Sequence, residues 1–381
     1  MTTQGSLSGK LIVLGVTGSI AAVETVKLCH ELRRQGATVQ AVMSEAARGI
    51  INPEALVYAT GRPVITACTG LVEHVRYCGE GGEGDLLLIA PCTANTIGKI
   101  AAGIDDTAVT TFATTAIGRG MPVIIAPAMH ESMYRHPAVR ENLRRLESFG
   151  ITVIPPKIEE QRAKVADVGD IVLHTARGAG GGMLRGKSVL VTSGACREPV
   201  DDVRVLTTRA TGMMGRAVAL EAFRLGADVT VVHRDTFPCV RNIAATSAEE
   251  MRKAVLDFCR DHRIDFYISA AAISDFSPQR KPGKIPSGNE VTVHLNPLPK
   301  LLPEVAGACE GNPVIVAFKL GNDEEERARQ MIGNGVTMVV LNTPDVMGSE
   351  NGKFVIVTGI EREELETSKE AFAVALWKKL L

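Results

Sequence analysis

The sequence predicts an α/β fold with two doubly wound, Rossmann-like domains, and two openings of the same form indicate it. Residues 10–22 read KLIVLGVTGSIAA, and residues 187–195 read KSVLVTSGA. In each, a short apolar strand runs into a Gly/Ser/Thr turn, and the helix that follows presents backbone N–H groups to an anionic ligand. A glycine run, ARGAGGGMLRG (176–186), separates the two openings. We therefore expect two nucleotide-type domains, each with its own ligand.

Length and composition agree with that division. The 381 residues are enough for two separate cores, which we predict over 1–178 and 187–381 with a Gly-rich linker at 179–186. The formal net charge is −1, and aromatic residues make up 4% of the chain. Neither a basic surface nor a base-stacking platform for nucleic acid is therefore predicted.

Strands and helices alternate along both halves. Apolar runs such as LLLIA (86–90) are typical of strands buried on both faces of a parallel sheet. We predict strands at 11–16, 38–43, 86–90, 122–126, 151–155, 188–192, 228–232, 266–270, 314–318 and 337–341, and helices at 19–35, 93–102, 137–149, 212–225, 248–262 and 323–333. Residues 274–300 are predicted as a long functional loop, and the chain as ending in one strand and an amphipathic helix.

The eight cysteines are dispersed, with no CxxC pair and no Cys/His cluster at metal-ligand spacing. No metal-ligand set or disulfide framework is expected, and a reducing cytoplasm is the predicted compartment. Glycine interrupts the apolar stretch at 11–23, and no apolar segment is long enough to cross a membrane. Neither a signal peptide nor a membrane partner is predicted.

Polar residues stand at the ends of two predicted strands in the first half. After the first strand, Gly18 lets the backbone approach an anion, and Ser19 can cap the helix while it donates to a phosphate. Side chains that can hold a phosphate, a ribose or a carboxylate follow the strand at 86–90: Thr93, Asn95 and Thr96. Ordinary helix capping by Ser19 and Thr93 accounts for the same residues without a ligand, and both roles can hold at once.

Segments of both halves resemble known enzymes. The first half resembles the flavin-dependent cysteine decarboxylases, phosphopantothenoylcysteine decarboxylases above all, in GVTGSIAA (15–22), EH (73–74), DLLLIAPCTANTIGKIAAGIDD (85–106) and PVIIAPAMHESMY (122–134). The second half is similar to phosphopantothenate–cysteine ligases in TSGACREPVDDVRVLTTRATGMMG (192–215), AAISDF (271–276) and GKIPSG (283–288). Their order is that of the bifunctional coenzyme A biosynthesis family. The resemblance implies a flavodoxin-like flavoprotein domain followed by a nucleotide-binding ligase domain.

The resemblance also implies roles in the first half. FMN would be bound by Gly15, Gly18, Ser19, Ser44, Thr93, Asn95 and Thr96. His74, which taken alone is an ordinary surface or core histidine, matches the active-site histidine of these enzymes. His130 stands where relatives commonly carry the asparagine that grips the substrate carboxylate, and histidine can still donate that hydrogen bond. Met129 and Met133 would line the pocket with apolar groups.

The flap of the first half departs from the relatives. Many of them place a cysteine after the strand that corresponds to 151–155, where it delivers a proton during product reduction. The matching stretch here, 159–170, has no cysteine, and Lys164 lies near the expected site. A buried lysine with a depressed pKa could donate the proton, whereas the alternative is a solvated flap lysine.

In the second half the resemblance implies that Asp275 and Lys284 bind the nucleotide and neutralise phosphate charge as an acyl-nucleotide forms. Thr208 replaces the asparagine linked with that intermediate, and Met213 replaces a lysine. The helix at 328–336 also lacks the lysines that relatives place near the triphosphate. The nucleotide residues that remain are Phe318, Lys319 and Asn342, of which Lys319 could supply part of the missing charge.

The implied activity is bifunctional. The ligase half would couple 4′-phosphopantothenate to L-cysteine with CTP or ATP and Mg²⁺, CTP being the expected nucleotide, and the FMN-dependent half would decarboxylate the product to 4′-phosphopantetheine. The cofactor would oxidise the S–CH₂ group to a thioaldehyde, which provides an electron sink for the departing CO₂. Two alternatives are a decarboxylase with a scaffolding ligase-like domain and a non-catalytic flavin-binding subunit. The relatives imply a homo-oligomer of decarboxylase trimers and ligase dimers.

Overall fold

The computed structural model describes residues 5–159, 162–288, 290–321 and 324–381. The chain divides into two compact units, Met1–Gly181 and Gly182–Leu381. The division lies inside the stretch 179–186 that the sequence predicts as a linker, although the last helix of the first unit includes Ala179. Each unit has its own sheet and its own buried core.

The first unit is a parallel sheet between two layers of helices. Its strands are β1 Leu11–Val16, β2 Thr38–Met43, β3 Leu86–Cys92, β4 Val123–Pro127, β5 Met129–His130, β6 Thr152–Val153, β7 Lys157–Glu159 and β8 Arg162–Lys164. Its helices are α1 Thr25–Arg34, α2 Glu45–Arg48, α3 Pro53–Thr60, α4 Glu73–Cys78, α5 Ala94–Ala102, α6 Ala108–Arg119, α7 Glu131–Tyr134, α8 Pro137–Ser148 and α9 Val168–Ala179, with a 3₁₀ turn at Ile20–Glu24. The main sheet has the order β2-β1-β3-β4-β6, and its paired strands are parallel.

Alternation along the strands builds the two layers. Ile12 and Leu14 of β1 are buried in the cluster that contains α1 and α9 residues, whereas Val13 is buried in the cluster that contains α5 and α6 residues. A strand that is buried on both faces has a continuous run of apolar residues in its sequence. The sequence predicts these strands well for that reason.

In the first unit two predicted elements differ from the structure, and α2, α3, α4, α6, α7, α9 and the flap sheet are not predicted. The helix expected at 19–35 is a 3₁₀ turn followed by α1, because Ser19 caps a tight turn and the Thr25 hydroxyl donates to the Ala22 carbonyl. The strand expected at 151–155 pairs only at Thr152–Val153, since the two prolines that follow carry no N–H for a ladder. A small antiparallel sheet, β5-β8-β7, forms the flap.

The second unit is built on an eight-stranded sheet. Its strands are β9 Ser188–Thr192, β10 Arg197–Pro199, β11 Val205–Thr207, β12 Asp228–His233, β13 Arg241–Ala244, β14 Phe266–Ser269, β15 Phe276–Pro278, β16 Leu295–Pro297, β17 Val314–Leu320, β18 Met338–Asn342, β19 Asn351–Val357 and β20 Arg362–Ser368. Its helices are α10 Met213–Arg224, α11 Ala248–Asp261, α12 Leu301–Ala308, α13 Glu325–Gly333 and α14 Lys369–Leu380, with a 3₁₀ turn at Pro344–Val346. The order is β13-β12-β9-β14-β17-β18-β19-β20.

Several elements of this unit exceed the prediction, among them β13 and α12. The single strand expected near the C-terminus is the hairpin β19–β20, whose second strand, REELETS, is charged because it is the edge of the sheet. The loop expected at 274–300 contains the strand pair β15–β16. A second strand pair, β10–β11, follows β9. Since β9 and β14 are parallel neighbours, the pairs that follow them leave from the same edge of the sheet.

Candidate functional site

The carboxyl ends of β1 and β3 carry two turns that one buried side chain joins. The Thr17 hydroxyl donates to the Pro91 carbonyl at 2.7 Å and accepts from the Thr93 backbone N–H at 3.0 Å. Ligands of open α/β sheets bind outside the carboxyl ends of the strands, so these two turns lie where a cofactor is expected.

Three predicted residues cap the helices at this edge. Ser19 caps the 3₁₀ turn, Ser44 accepts from the Ala47 N–H at 3.3 Å, and Thr93 accepts from the Thr96 N–H at 3.3 Å. Gly18 lies against Ala46, and a Cβ on Gly18 would stand 2.5 Å from the Ala46 Cβ. The capping interpretation of Ser19 and Thr93 is therefore confirmed, and the close approach to Ala46 requires a residue without a side chain at position 18.

A polar cavity of about 540 Å³ opens between these turns. Eight predicted residues line it: Gly18, Ser19, Ser44, Thr93, Asn95, Thr96, Met129 and Met133. Lys99 and Thr107, which the sequence analysis does not single out, line it too. Lys99 is held by both carboxylate oxygens of Asp106 at 2.8 Å, and Thr107 caps α6. The sequence signal available for them is the quoted motif at 85–106, which contains Lys99 and which Thr107 directly follows.

A second, more apolar cavity of about 680 Å³ adjoins the first and shares Ser19, Ala128 and Met129 with it. His130 and Lys164 line it from the flap, where β5 pairs with β8. The structure thus brings the predicted carboxylate-binding histidine and the predicted proton donor to one cavity. Residues 160 and 161 of the predicted flap stretch lie outside the described residues.

His74 and Gly15 line neither cavity. His74 lies on α4, with its ring edge-on to Phe112 of α6 at 6.4 Å between centroids. Its Nδ1 atom is buried and has no hydrogen-bond partner among the residues that the structure describes. Gly15 lies inside β1, where a Cβ would meet Val109 Cγ1 at 3.1 Å. The structure gives Gly15 a packing role, and its contact with a cofactor stays a prediction.

The second unit has a cavity of about 110 Å³ at the carboxyl edge of its sheet. The glycine-rich turn that begins α10 lines it with Gly212 and Met213, and the strand ends contribute Phe318 and Asn342. Lys369, which the sequence analysis misses, also lines it and is 6% exposed. Its ammonium group donates to the Val346 and Ser349 carbonyls, and burial lowers its pKa.

The other predicted ligase residues lie outside the lining of this cavity. Lys319 follows Phe318 in β17 and alternates to the other face of the sheet. Thr208 is exposed and accepts weakly from the Ala210 N–H at 3.4 Å. Asp275 forms an ion pair with Lys300, and Lys284 is exposed in the loop after β15. Their roles stay predictions.

The described residues contain neither a metal-ligand cluster nor a membrane-spanning helix. Across 5–159, 162–288, 290–321 and 324–381, no group of three or more His, Cys, Asp or Glu side chains could hold a metal ion. Within the same part of the chain, no helix combines the length and the apolar character that a membrane crossing requires.

Comparison with known proteins assigns both units to families. Residues 1–179 match the model of the family described as Flavoprotein, and residues 184–381 match that of the DNA/pantothenate metabolism flavoprotein C-terminal domain. The chain is 44% identical, over 100% of its length and 96% of the relative's, to the coenzyme A biosynthesis bifunctional protein CoaBC of Thermococcus kodakarensis. The chain belongs to this bifunctional coenzyme A biosynthesis family.

Other relatives of the family bear the same name. The CoaBC protein of Methanocaldococcus jannaschii is 34% identical over 98% of this chain and 94% of its own. Among solved structures, the C-terminal domain of a coenzyme A biosynthesis bifunctional protein CoaBC is 25% identical over 52% of this chain and 96% of its own, with a TM-score of 0.43. The full-length relatives and the two family models confirm the predicted family and the predicted bifunctional enzyme, with a flavoprotein decarboxylase half before a ligase half.

Proposed function

We propose that this chain makes 4′-phosphopantetheine from 4′-phosphopantothenate and L-cysteine, with one step in each half. The ligase half joins the two substrates through an acyl-nucleotide, using CTP with Mg²⁺, and the flavoprotein half decarboxylates the product with FMN. The paired cavities at the carboxyl edge of the first sheet carry the proposal, because they join an anion-binding turn to a flap lined by proton donors.

The residues of the polar cavity fit a flavin mononucleotide. The Gly18 turn leaves no room for a side chain beside Ala46, which keeps backbone N–H groups accessible to a phosphate. The hydroxyls of Ser19, Ser44 and Thr93 stand at the starts of three helical segments, where a negative charge is stabilised. The adjoining apolar cavity has room for the ring system and the substrate.

When it is bound, FMN supplies the two-electron redox chemistry that makes the cysteinyl carboxylate a leaving group. His130 orients the substrate by donating a hydrogen bond to that carboxylate. Met129, which lines both cavities, excludes water from the reacting carbon, and Met133 lines the polar cavity. Lys164, on the flap, holds the proton that the product takes up.

We assign the active-site histidine role to His74, acting at a site completed by a second copy of the chain. Its position outside both cavities supports this arrangement, as do exposed apolar residues around it, Leu71, Val72 and Val75. Ile20, 78% exposed, lines the wall of the larger cavity and would be covered in the same assembly. We propose an oligomer built from decarboxylase trimers and ligase dimers. Light scattering of the purified chain measures its number of subunits.

Mixed oligomers test this role of His74. The His74→Gln and His130→Ala variants, each expected to lack decarboxylase activity alone, are co-expressed with different affinity tags and purified through both. If His74 acts on the neighbouring copy, some sites in the mixed oligomer contain both intact residues, and activity returns. Mixed oligomers as inactive as the parents would contradict a shared site.

In the ligase half we propose that the Gly212–Met213 turn, Phe318 and Asn342 bind the nucleotide, and that Asp275 and Lys284 complete the site. The cavity formed by the first four residues supports the nucleotide assignment. Lys284 supplies the positive charge that the forming acyl-nucleotide needs. No disulfide joins the cysteines of the described residues, and we propose the reducing cytoplasm as the compartment.

A coupled assay tests both steps. The purified chain receives 4′-phosphopantothenate, L-cysteine, Mg²⁺ and either CTP or ATP, and pyrophosphate and 4′-phosphopantetheine are measured. Both products are expected, with CTP preferred. Lys284→Ala should lower pyrophosphate release to a small residual rate while turnover of added phosphopantothenoylcysteine continues, and His74→Gln should abolish that turnover while pyrophosphate release continues. Turnover of that intermediate without any pyrophosphate from the unmodified chain would favour the alternative of a decarboxylase with a scaffolding second half.

A further inference from the structure

We propose that Asp201 and Asp202 are positioning residues for Lys284, the lysine to which the proposed function assigns the nucleotide charge. The backbone N–H groups on both sides of Lys284 are held by these two consecutive carboxylates. Gly283 donates to Asp202 Oδ2 at 2.9 Å, and Ile285 donates to Asp201 Oδ2 at 3.0 Å. The lysine therefore sits between two fixed points although its own side chain is exposed.

Asp202 binds the loop that contains Lys284 through both its side chain and its backbone. Besides the Gly283 N–H, its second oxygen accepts from the Arg280 guanidinium at 2.9 Å. Its own backbone N–H donates to the Gly283 carbonyl at 3.2 Å, so that Asp202 and Gly283 bind each other at two places. These donors lower the pKa of the Asp202 carboxyl, the Arg280 guanidinium most strongly and the Gly283 amide next.

Asp201 is the more buried of the pair, at 3% exposure, and its carboxylate is surrounded by hydrogen-bond donors. Oδ1 accepts from the backbone N–H groups of Val203 and Arg204, which closes its own turn, and Oδ2 accepts from Ile285 and the Arg204 guanidinium. Burial raises the pKa of this carboxyl, but the three amides and the guanidinium together hold it far below its usual range. These four donors fit an ionised carboxylate, whose two oxygens only accept hydrogen bonds.

Two further contacts join the loop that contains Lys284 to residues 200–204. The Lys281 N–H donates to the Val200 carbonyl at 3.0 Å, and the Arg204 guanidinium donates to the Ile285 carbonyl at 3.2 Å. Most of the loop from 279 to 288 is exposed and has no apolar core of its own. Without the aspartates, holding Lys284 in one place would cost the conformational entropy of the loop at each turnover.

Carboxamide substitutions at the two positions test the proposal. In Asp201→Asn one oxygen can still close the turn at 203–204, while the new amide faces the Ile285 N–H and loses that hydrogen bond. In Asp202→Asn the charge opposite Arg280 is lost. We expect kcat for pyrophosphate release to fall about 10- to 100-fold in each, the range that a misplacement of order 1 Å produces, with a smaller change in KM for CTP.

Asp265→Asn is the matched control. Asp265 also accepts from one backbone N–H, that of Ser188 at 2.9 Å, and from one cation, Lys187 at 3.1 Å. It precedes β14 at the opposite edge of the sheet from the loop, so ligase kcat should change less than about threefold. Thermal unfolding of all three variants shows whether the second unit stays folded. Arg280→Lys, which keeps the cation opposite Asp202, is expected to retain most of the activity.

A double-mutant cycle with Lys284→Ala decides between positioning and general stability. If the aspartates act through Lys284, Asp202→Asn causes little further loss in the Lys284→Ala background, because the two effects are not additive. Additive losses, or full ligase activity in Asp201→Asn and Asp202→Asn, would overturn the proposal. A Lys284→Ala variant with normal ligase activity would instead overturn the role that the proposed function gives to Lys284.

Discussion

The Thr17 hydroxyl and the Thr93 backbone N–H meet at 3.0 Å, and the same hydroxyl donates to Pro91 at 2.7 Å. Thr17 is 1% exposed, and its backbone N–H also donates to the Pro91 carbonyl. One buried side chain thus fixes the distance between the turn that contains Gly18 and Ser19 and the turn that contains Thr93. The spacing of the polar groups around the cavity therefore depends on the Thr17 side chain.

Thr17→Val keeps the shape of the side chain and removes both hydrogen bonds. Leaving the Thr93 N–H and the Pro91 carbonyl without this buried partner costs about 1–3 kcal/mol. We expect the Kd for FMN to rise about tenfold, since 1.4 kcal/mol corresponds to a factor of ten. The measurement is a fluorescence titration of the flavin-free chain with FMN.

Thr175→Val is the control for that titration. Thr175 is also buried, and its hydroxyl donates to the Ile171 carbonyl within α9 at 2.7 Å. This substitution removes a buried hydroxyl of the same unit without touching either turn, so FMN affinity should stay unchanged. Equal losses of affinity in both variants would mean that the effect of Thr17→Val is general destabilisation.

Gly18→Ala tests the close approach at the first turn. The added Cβ would stand 2.5 Å from the Ala46 Cβ and 3.1 Å from the Ala46 carbonyl carbon, so the turn has to move. We expect FMN affinity to fall at least about tenfold, because the N–H groups of this turn shift together. The yellow colour of the purified chain shows how much FMN stays bound, and the FMN titration measures the affinity.

Gly118→Ala is the matched change at an uncrowded glycine. Gly118 lies in α6, and nothing stands within 4 Å of a Cβ placed there. Alanine favours a helix over glycine by up to about 1 kcal/mol, so this variant should be as stable as the parent or more so. If the purified Gly18→Ala and Gly118→Ala variants contained equal amounts of FMN, a tight turn at Gly18 would be contradicted.

The sequence predicts much of the sheet framework because continuous apolar runs and strand-end turns are local signals. The strand at 11–16 coincides with β1, and that at 188–192 with β9. α6 is missed because its sequence, AVTTFATTAIGR, has no clear polar face and its burial comes from packing against the sheet. The edge strand β20 is missed because REELETS has the composition of a solvated segment, and only its pairing with β19 makes it a strand.

The same distinction holds at the sites. Ser19, Ser44 and Thr93 could be predicted because each follows a strand that the sequence makes evident. Lys99 lies within a helix, and Lys369 begins one after a charged strand, so only the tertiary fold brings them to their cavities. His74 shows the converse, since its motif is recognisable while the residue lines neither cavity of the first unit.

Lys164→Met tests the flap proton donor. If Lys164 holds the proton that the reduced product takes up, its loss stalls the reaction after CO₂ leaves. We expect an unsaturated thiol product two hydrogens lighter than 4′-phosphopantetheine, detected by mass spectrometry. Lys157→Met is the control, because Lys157 is opposite Lys164 in the β7–β8 pair and does not line the cavity. The same saturated product from both variants would show that another group donates.

His174 on α9 gives the first unit a pH-dependent stability. Burial, and to a smaller extent the nearby charge of Arg177, lowers the pKa of its imidazole from 6.5 to about 4. Between those two values the unfolded chain binds more protons at this residue than the folded chain does. The free energy of unfolding therefore falls as the pH falls through this window, and His174 adds no pH dependence above it.

His174→Gln removes that contribution. Urea unfolding of the FMN-bound chain, followed by flavin fluorescence at about pH 7, 5.5 and 4.5, should give a steeper loss of stability in the parent than in the variant. Arg177→Gln removes the repulsive charge, raises the pKa of His174 part of the way to 6.5, and should give an intermediate slope. Burial is the larger cause, so most of the dependence should remain in Arg177→Gln. Parallel curves for the parent and His174→Gln would mean that the histidine is protonated alike in both states, against its burial in α9.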